Sequence, residues 1–170
     1  MAAVISFALL TALSARMALP LPGTDVPVTL QTLIVMLSGA LLGPYLGAAA
    51  QLMYLLAGAL GLPVFAMGAG LAYLFGPTGG YLLAFPLAAA LTGLLSGQKH
   101  APGFLRAALA MIIASVLILM VGWAQLTLLR GNASAAFQMG VLPFLVGDIL
   151  KVTLGALIAT RLRPRTLGLM

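Results

Sequence analysis

Two opposite charges stand three residues apart inside an otherwise apolar run, Gly147-Asp148-Ile149-Leu150-Lys151. Residues at i and i+3 share one face of a helix. A charge near the middle of a membrane-crossing helix costs about 2.5–3.5 kcal/mol, and packing an apolar bundle does not require it. A carboxylate offers only acceptors and an ammonium only donors. Side by side they suit a polar ligand with adjacent N–H and C=O groups. They also suit an internal ion pair that fastens helices. For ionisable residues at membrane depth, the ligand-binding reading is the default.

Three further patterns could serve such a site. In Gly76-Pro77-Thr78-Gly79-Gly80-Tyr81, two glycines and a proline open a helix whose first backbone N–H groups could face a ligand. The same run also suits a tight turn followed by close helix packing, and it lacks the ending of a phosphate-binding loop. Pro27-Val28-Thr29-Leu30-Gln31 opens another helix. Thr29 and Gln31 either cap it or line the mouth of a site. Phe65, Tyr73, Phe75 and Tyr81 cluster in one stretch, as interfacial anchors or as a wall for a flat ligand. On the first helix, Ala8 and Ala12 are small residues four apart, a spacing that lets a neighbouring helix approach closely.

The rest of the chemical inventory is thin. There is no cysteine, one histidine (His100) and two acidic residues, Asp25 and Asp148. A metal site or a catalytic centre is therefore not expected. A formal charge of +6 comes from eight basic residues spread between apolar runs. That pattern does not predict nucleic-acid binding.

The elements that must position these residues are helices in lipid. Of 170 residues, 63% are hydrophobic and 6% charged, and the mean hydropathy is +1.20. Soluble domains carry about 25% charged residues. Charges, Pro and Gly divide the chain into six apolar spans: Ala2 to Ala15 or Met17, Val28–Leu42, Tyr45–Leu60, Thr78–Leu95, Gly103–Leu129 and Phe137–Leu162. The expectation is an all-α integral membrane protein, a single six-transmembrane-helix bundle over residues 1–170. Lys99, His100, Arg106, Arg161, Arg163 and Arg165 fall on the side of the termini, against Arg16 and Arg130 on the other. The positive-inside bias then puts both termini in the cytoplasm.

These motifs, in this order and together with Gly61-Leu62-Pro63-Val64-Phe65-Ala66, resemble the BioY family, the biotin-specific S components of energy-coupling factor (ECF) transporters. The likeness extends over essentially the whole chain. It implies a multi-pass protein of a prokaryotic cell membrane that captures biotin on the outer side. It also implies a partner T component and two ABC-type ATPases, which alone use ATP, and no cofactor of its own. By motif match, Asp148 and Lys151 contact the biotin ring system, with Tyr81, Gly79, Thr78, Phe65 and Gln31 around it. Ala8 and Ala12 become candidates for the face that meets the T component, and the loop from Arg16 to Pro27 for a lid. Met67-Gly68 and Ala84 stand where the family often has glycine, and both add bulk near the site. A self-sufficient, proton-coupled transporter with Asp148 as its coupling site is the alternative. The sequence leaves a homo-oligomer open.

Overall fold

The computed structural model describes residues 1–97 and 103–167. Lys99 and His100, used above for orientation, lie outside the described residues. The described chain is helical: α1 (Ala2–Ala15), α2 (Gln31–Leu42), α3 (Pro44–Ala59), α4 (Gly79–Leu95), α5 (Phe104–Arg130), α6 (Ala133–Gly140) and α7 (Leu145–Leu167). Short 3-10 turns lie at Leu71–Phe75 and Leu142–Phe144.

The apolar pattern predicts α2 from Val28, but the helix starts three residues later. Val28 is committed elsewhere: its N–H donates to the Leu19 carbonyl (3.0 Å), and the Leu19 N–H donates back to Val28 (2.8 Å). This single antiparallel bridge folds the Arg16–Pro27 loop onto the start of α2. At the other end of α2, Gly43 takes φ +84°, a conformation that side chains disfavour. Pro44 then opens α3, where its missing N–H is no loss.

The expected last span, Phe137–Leu162, is not one helix. Val141 leaves helical geometry at φ −122° and ψ −58°, and Pro143 two residues later cannot donate a helical hydrogen bond. The chain therefore makes the short α6, a 3-10 turn, and only then α7.

α2 is the central element and touches α1, α3, α4, α5 and α7. Leu33 and Val35 through Leu41 are all buried, as expected of a helix that is apolar on every side. Backbones approach closely at Gly39, where a Cβ would collide with the Ala89 carbonyl of α4. Small residues at such crossings let helices pack where lipid supplies no hydrophobic drive.

The outer surface is apolar, with Leu109, Ile113, Leu87, Ile149, Leu150 and Leu157 all exposed. The interior holds Thr11, Ser38, Gln51, Ser115, Asp148 and Lys151. Apolar outside and polar inside is the distribution expected when the solvent is hydrocarbon. Phe104–Arg130 and the segment Ala133–Leu162 are long and apolar enough to cross a membrane, and Ala2–Ala15, Gln31–Leu42 and Gly79–Leu95 are shorter apolar helices.

The Arg16–Pro27 loop, the Gly61–Pro77 segment and the α5–α6 turn gather at one end of the bundle. There Arg16 donates to the Pro63 carbonyl, and Arg130 pairs with Asp25. Arg106 serves the opposite end, donating to the Leu95 carbonyl at the end of α4 (2.8 Å).

Candidate functional site

The first two turns of α7 carry Asp148 and Lys151 on one face, and both are only 7% exposed. Lys151 Nζ lies 3.1 Å from Asp148 Oδ1. Ser115, from the middle of α5, donates through Oγ to Asp148 Oδ2 at 2.6 Å. Both carboxylate oxygens are thus engaged once, and each keeps a free acceptor direction. The ammonium has three donors and spends one of them on Asp148. The pair is fixed in place yet retains capacity for a further partner.

That capacity faces a small cavity of about 50 Å³, lined by residues of α2, α4, α5 and α7 and of the loops around them. Gln31, Thr78 and Tyr81, expected at a site, all line it, as do Thr29, Thr32 and Tyr73. Ile118, Leu119 and Phe144 supply apolar walls, and Val26 and Pro27 close the loop side. Gln31 is fixed by its neighbours: it donates through Nε2 to Tyr54 Oη (2.6 Å) and accepts from Thr29 Oγ1 (3.2 Å). Tyr54 donates on to the Val64 carbonyl (3.3 Å). Tyr81 donates to the Gly140 carbonyl (2.8 Å), which ties α4 to the end of α6. Behind the pair, Asp148 and Ser115 also border a groove of about 290 Å³ between α5 and α7, whose other walls are Thr153 and apolar residues such as Ile112, Ile149 and Val152.

Other expected site residues stand elsewhere. Gly79 packs against the Leu74 carbonyl and Gln125, where a Cβ would not fit. Gln125 Nε2 holds this turn by donating to the carbonyls of Leu74 (3.0 Å) and Gly76 (2.7 Å). Phe65 is buried one layer back, with its ring stacked at 5.1 Å on Tyr73, which does line the cavity. Ala8 is buried and Ala12 half-buried, both turned toward the core. The open face of α1 carries Ile5, Leu9, Leu10 and Leu13. Met67, one of the two bulkier departures, points outward, whereas Ala84 is buried.

The sequence reading missed Ser115, Thr32 and the apolar walls. Ser115 carried a signal, because it interrupts the apolar run Ala107–Gly122 as its only hydroxyl. Ile118 and Leu119 carried none, since α5 is apolar on all sides.

A family model described as the BioY family matches residues 1–167. Over 161 residues the chain is 40% identical to a protein of Pyrococcus horikoshii named "Probable biotin transporter BioY", covering 94% of this chain and 93% of that one. It is 39% identical over 145 residues to the biotin transporter BioY of Thermotoga maritima, with 84% of each chain covered. Among solved structures, it resembles in fold the S-component for biotin from an ECF-type ABC transporter. The TM-score is 0.84 at 24% identity, over 95% of this chain and 88% of that chain.

Proposed function

The chain belongs to the BioY family, and we propose that it is the biotin-capturing subunit of an ECF-type importer. The observation that carries this reading is the buried Asp148–Lys151 pair, held by Ser115 and facing a small cavity. Biotin's ureido ring presents N–H donors and a C=O acceptor side by side. Asp148 takes an N–H and Lys151 donates to the carbonyl. The sulfur ring and aliphatic tail lie against Ile118, Leu119 and Phe144. Ligand pockets commonly measure about 300–1,000 Å³, against about 50 Å³ here, so the walls part on binding. The wall best suited to move is the Val26–Pro27 edge of the Arg16–Pro27 loop, which is anchored by one bridge, the exposed Asp25–Arg130 pair and the exposed Arg16 contact to the Pro63 carbonyl.

The chain crosses a prokaryotic cell membrane six times, through α1, α2, α3, α4, α5 and α7, with both termini in the cytoplasm. The end that gathers Arg16, Asp25 and Arg130 faces outward and admits biotin. A transmembrane T component docks on the apolar exterior, and two cytoplasmic ABC-type ATPases supply the energy of transport. The test is calorimetric titration of the detergent-purified chain with biotin and, in parallel, with thiamine and riboflavin. Tight one-to-one binding of biotin alone supports the proposal. A folded chain that binds none of them, or binds another vitamin instead, overturns it.

A further inference from the structure

One buried cavity-lining hydroxyl has no assigned role and no partner among the described residues. Thr32 Oγ1 is buried and makes no hydrogen bond among the described residues, yet Thr32 lines the same cavity as Asp148 and Lys151. Thr29, Gln31, Tyr81, Asp148 and Lys151 all make side-chain hydrogen bonds within the protein. Tyr73 and Thr78 line the cavity without one, but among the described lining residues it is the Thr32 hydroxyl that is buried without a partner. Ser96 and Thr127 also lack partners, but neither lines the cavity.

The cause lies in where Thr32 falls on its helix. Hydroxyls on helices usually donate to the carbonyl three or four residues back. Thr11 does so to Phe7, Thr92 to Ala88, Thr153 to Ile149 and Thr160 to Leu157, each at 2.8 Å. Thr32 is the second residue of α2, so the residue four back is Val28. The Val28 carbonyl is turned to the Leu19 N–H instead. The Thr32 hydroxyl donates neither to that carbonyl nor to the Thr29 carbonyl three residues back.

A buried hydroxyl without a partner is costly, and more so away from water. We infer that Thr32 is a ligand-recognition residue whose Oγ1 accepts the second ureido N–H of the bound molecule. The inference rests on the biotin reading above and extends it. A ureido ring has two N–H groups and one carbonyl. Asp148 takes one N–H and Lys151 the carbonyl, which leaves the other N–H, on the far side of that carbonyl, without an assigned acceptor. Thr32 supplies it, from α2 rather than α7.

The experiment is titration of the parent, Thr32→Val and Thr32→Ser with biotin and with its two N-methylated ureido isomers, beside thermal unfolding without ligand. Valine keeps the shape and removes the hydroxyl. Thr32→Val should bind biotin about 2- to 12-fold more weakly, the span expected for one neutral hydrogen bond. Thr32→Ser should bind like the parent. The parent should discriminate against the isomer methylated on the Thr32 side, and Thr32→Val should lose part of that discrimination. Because Thr32 has no protein partner, Thr32→Val should unfold no earlier than the parent. Parent-like affinity in Thr32→Val overturns the inference and leaves the biotin reading standing, as does a loss of affinity accompanied by earlier unfolding. Failure of the parent itself to bind biotin overturns the biotin reading first and the inference with it.

Discussion

The Asp148–Lys151 pair should affect stability and binding in separable ways. Lys151→Met keeps an unbranched side chain one atom shorter and removes its charge. Asp148 is then a buried carboxylate with Ser115 as its remaining partner. Breaking one half of a buried pair costs about 3–5 kcal/mol. At about 2–4 °C per kcal/mol for a chain of this size, 3 kcal/mol lowers the unfolding temperature by about 6–12 °C. Asp148→Asn with Lys151→Met removes both charges and leaves two side chains of nearly native volume. Replacing a buried pair as a unit is often close to neutral, so the double variant should unfold near the parent. Binding should not recover with it. Each charge-assisted hydrogen bond contributes about 1.5–3 kcal/mol, so two of them correspond to about 10²- to 10⁴-fold in affinity. Thermal unfolding and biotin titration on the same three preparations, parent, single and double variant, test both halves. A double variant that binds biotin within tenfold of the parent would refute the role given to the pair. A Lys151→Met chain as stable as the parent would show that the two charges are not coupled in the fold.

Two other perturbations probe the supports of the site. Gly79→Ala should yield a destabilised chain, by about 1–3 kcal/mol or more, because its Cβ would collide with the Leu74 carbonyl, which is backbone and cannot rotate away. Thermal unfolding measures this, and a parent-like midpoint would show that the turn at Leu71–Phe75 can shift. Asp25→Asn should change stability by less than about 1 kcal/mol, since its pair with Arg130 is exposed. It should speed release of bound biotin, most visibly at low salt, because Val26 and Pro27 beside it close the cavity. An unchanged release rate in a displacement assay would mean that the loop is held by the Leu19–Val28 bridge and the Arg16–Pro63 contact without the Asp25–Arg130 pair.

What could be read in advance followed from local chemistry. Gly43-Pro44 marks the end of one helix and the start of the next, because one residue needs positive φ and the other lacks an N–H. Asp148 and Lys151 are visible because charge in an apolar run is costly, and their spacing fixes a common face. The break between α6 and α7 was harder to see. Pro143 sits in an apolar stretch, and membrane helices tolerate proline, so only the backbone of Val141 reveals the turn. Direction was hardest. The glycines at Gly79 and Gly80 announce a close backbone approach but not its object, which here is Leu74, Gln125 and α5. The small-residue spacing at Ala8 and Ala12 likewise predicts a close neighbour without saying that the neighbour lies inside the bundle. On a helix apolar all round, such as α5, periodicity carries no information about which side chains face a cavity.

Burial of polar groups is not by itself what marks the site. Thr11, Ser38 and Gln51 are also fully buried. Gln51 accepts from Thr11 at 3.2 Å and donates to Ser38 at 3.1 Å, and Ser38 donates to the Val35 carbonyl at 2.7 Å. That network joins α1, α2 and α3, gives each of its side chains a partner, and borders no part of the cavity. It is what internal fastening looks like when lipid denies water to polar groups. The cluster of Ser115, Asp148, Lys151 and Thr32 is built differently. It leaves two carboxylate acceptor directions, two ammonium donors and one whole hydroxyl unspent around a shared space. A fastening made this way would be poor, because its unused groups are desolvated for nothing. The same surplus is what a recognition site needs, since only groups left open by the protein can be closed by a ligand.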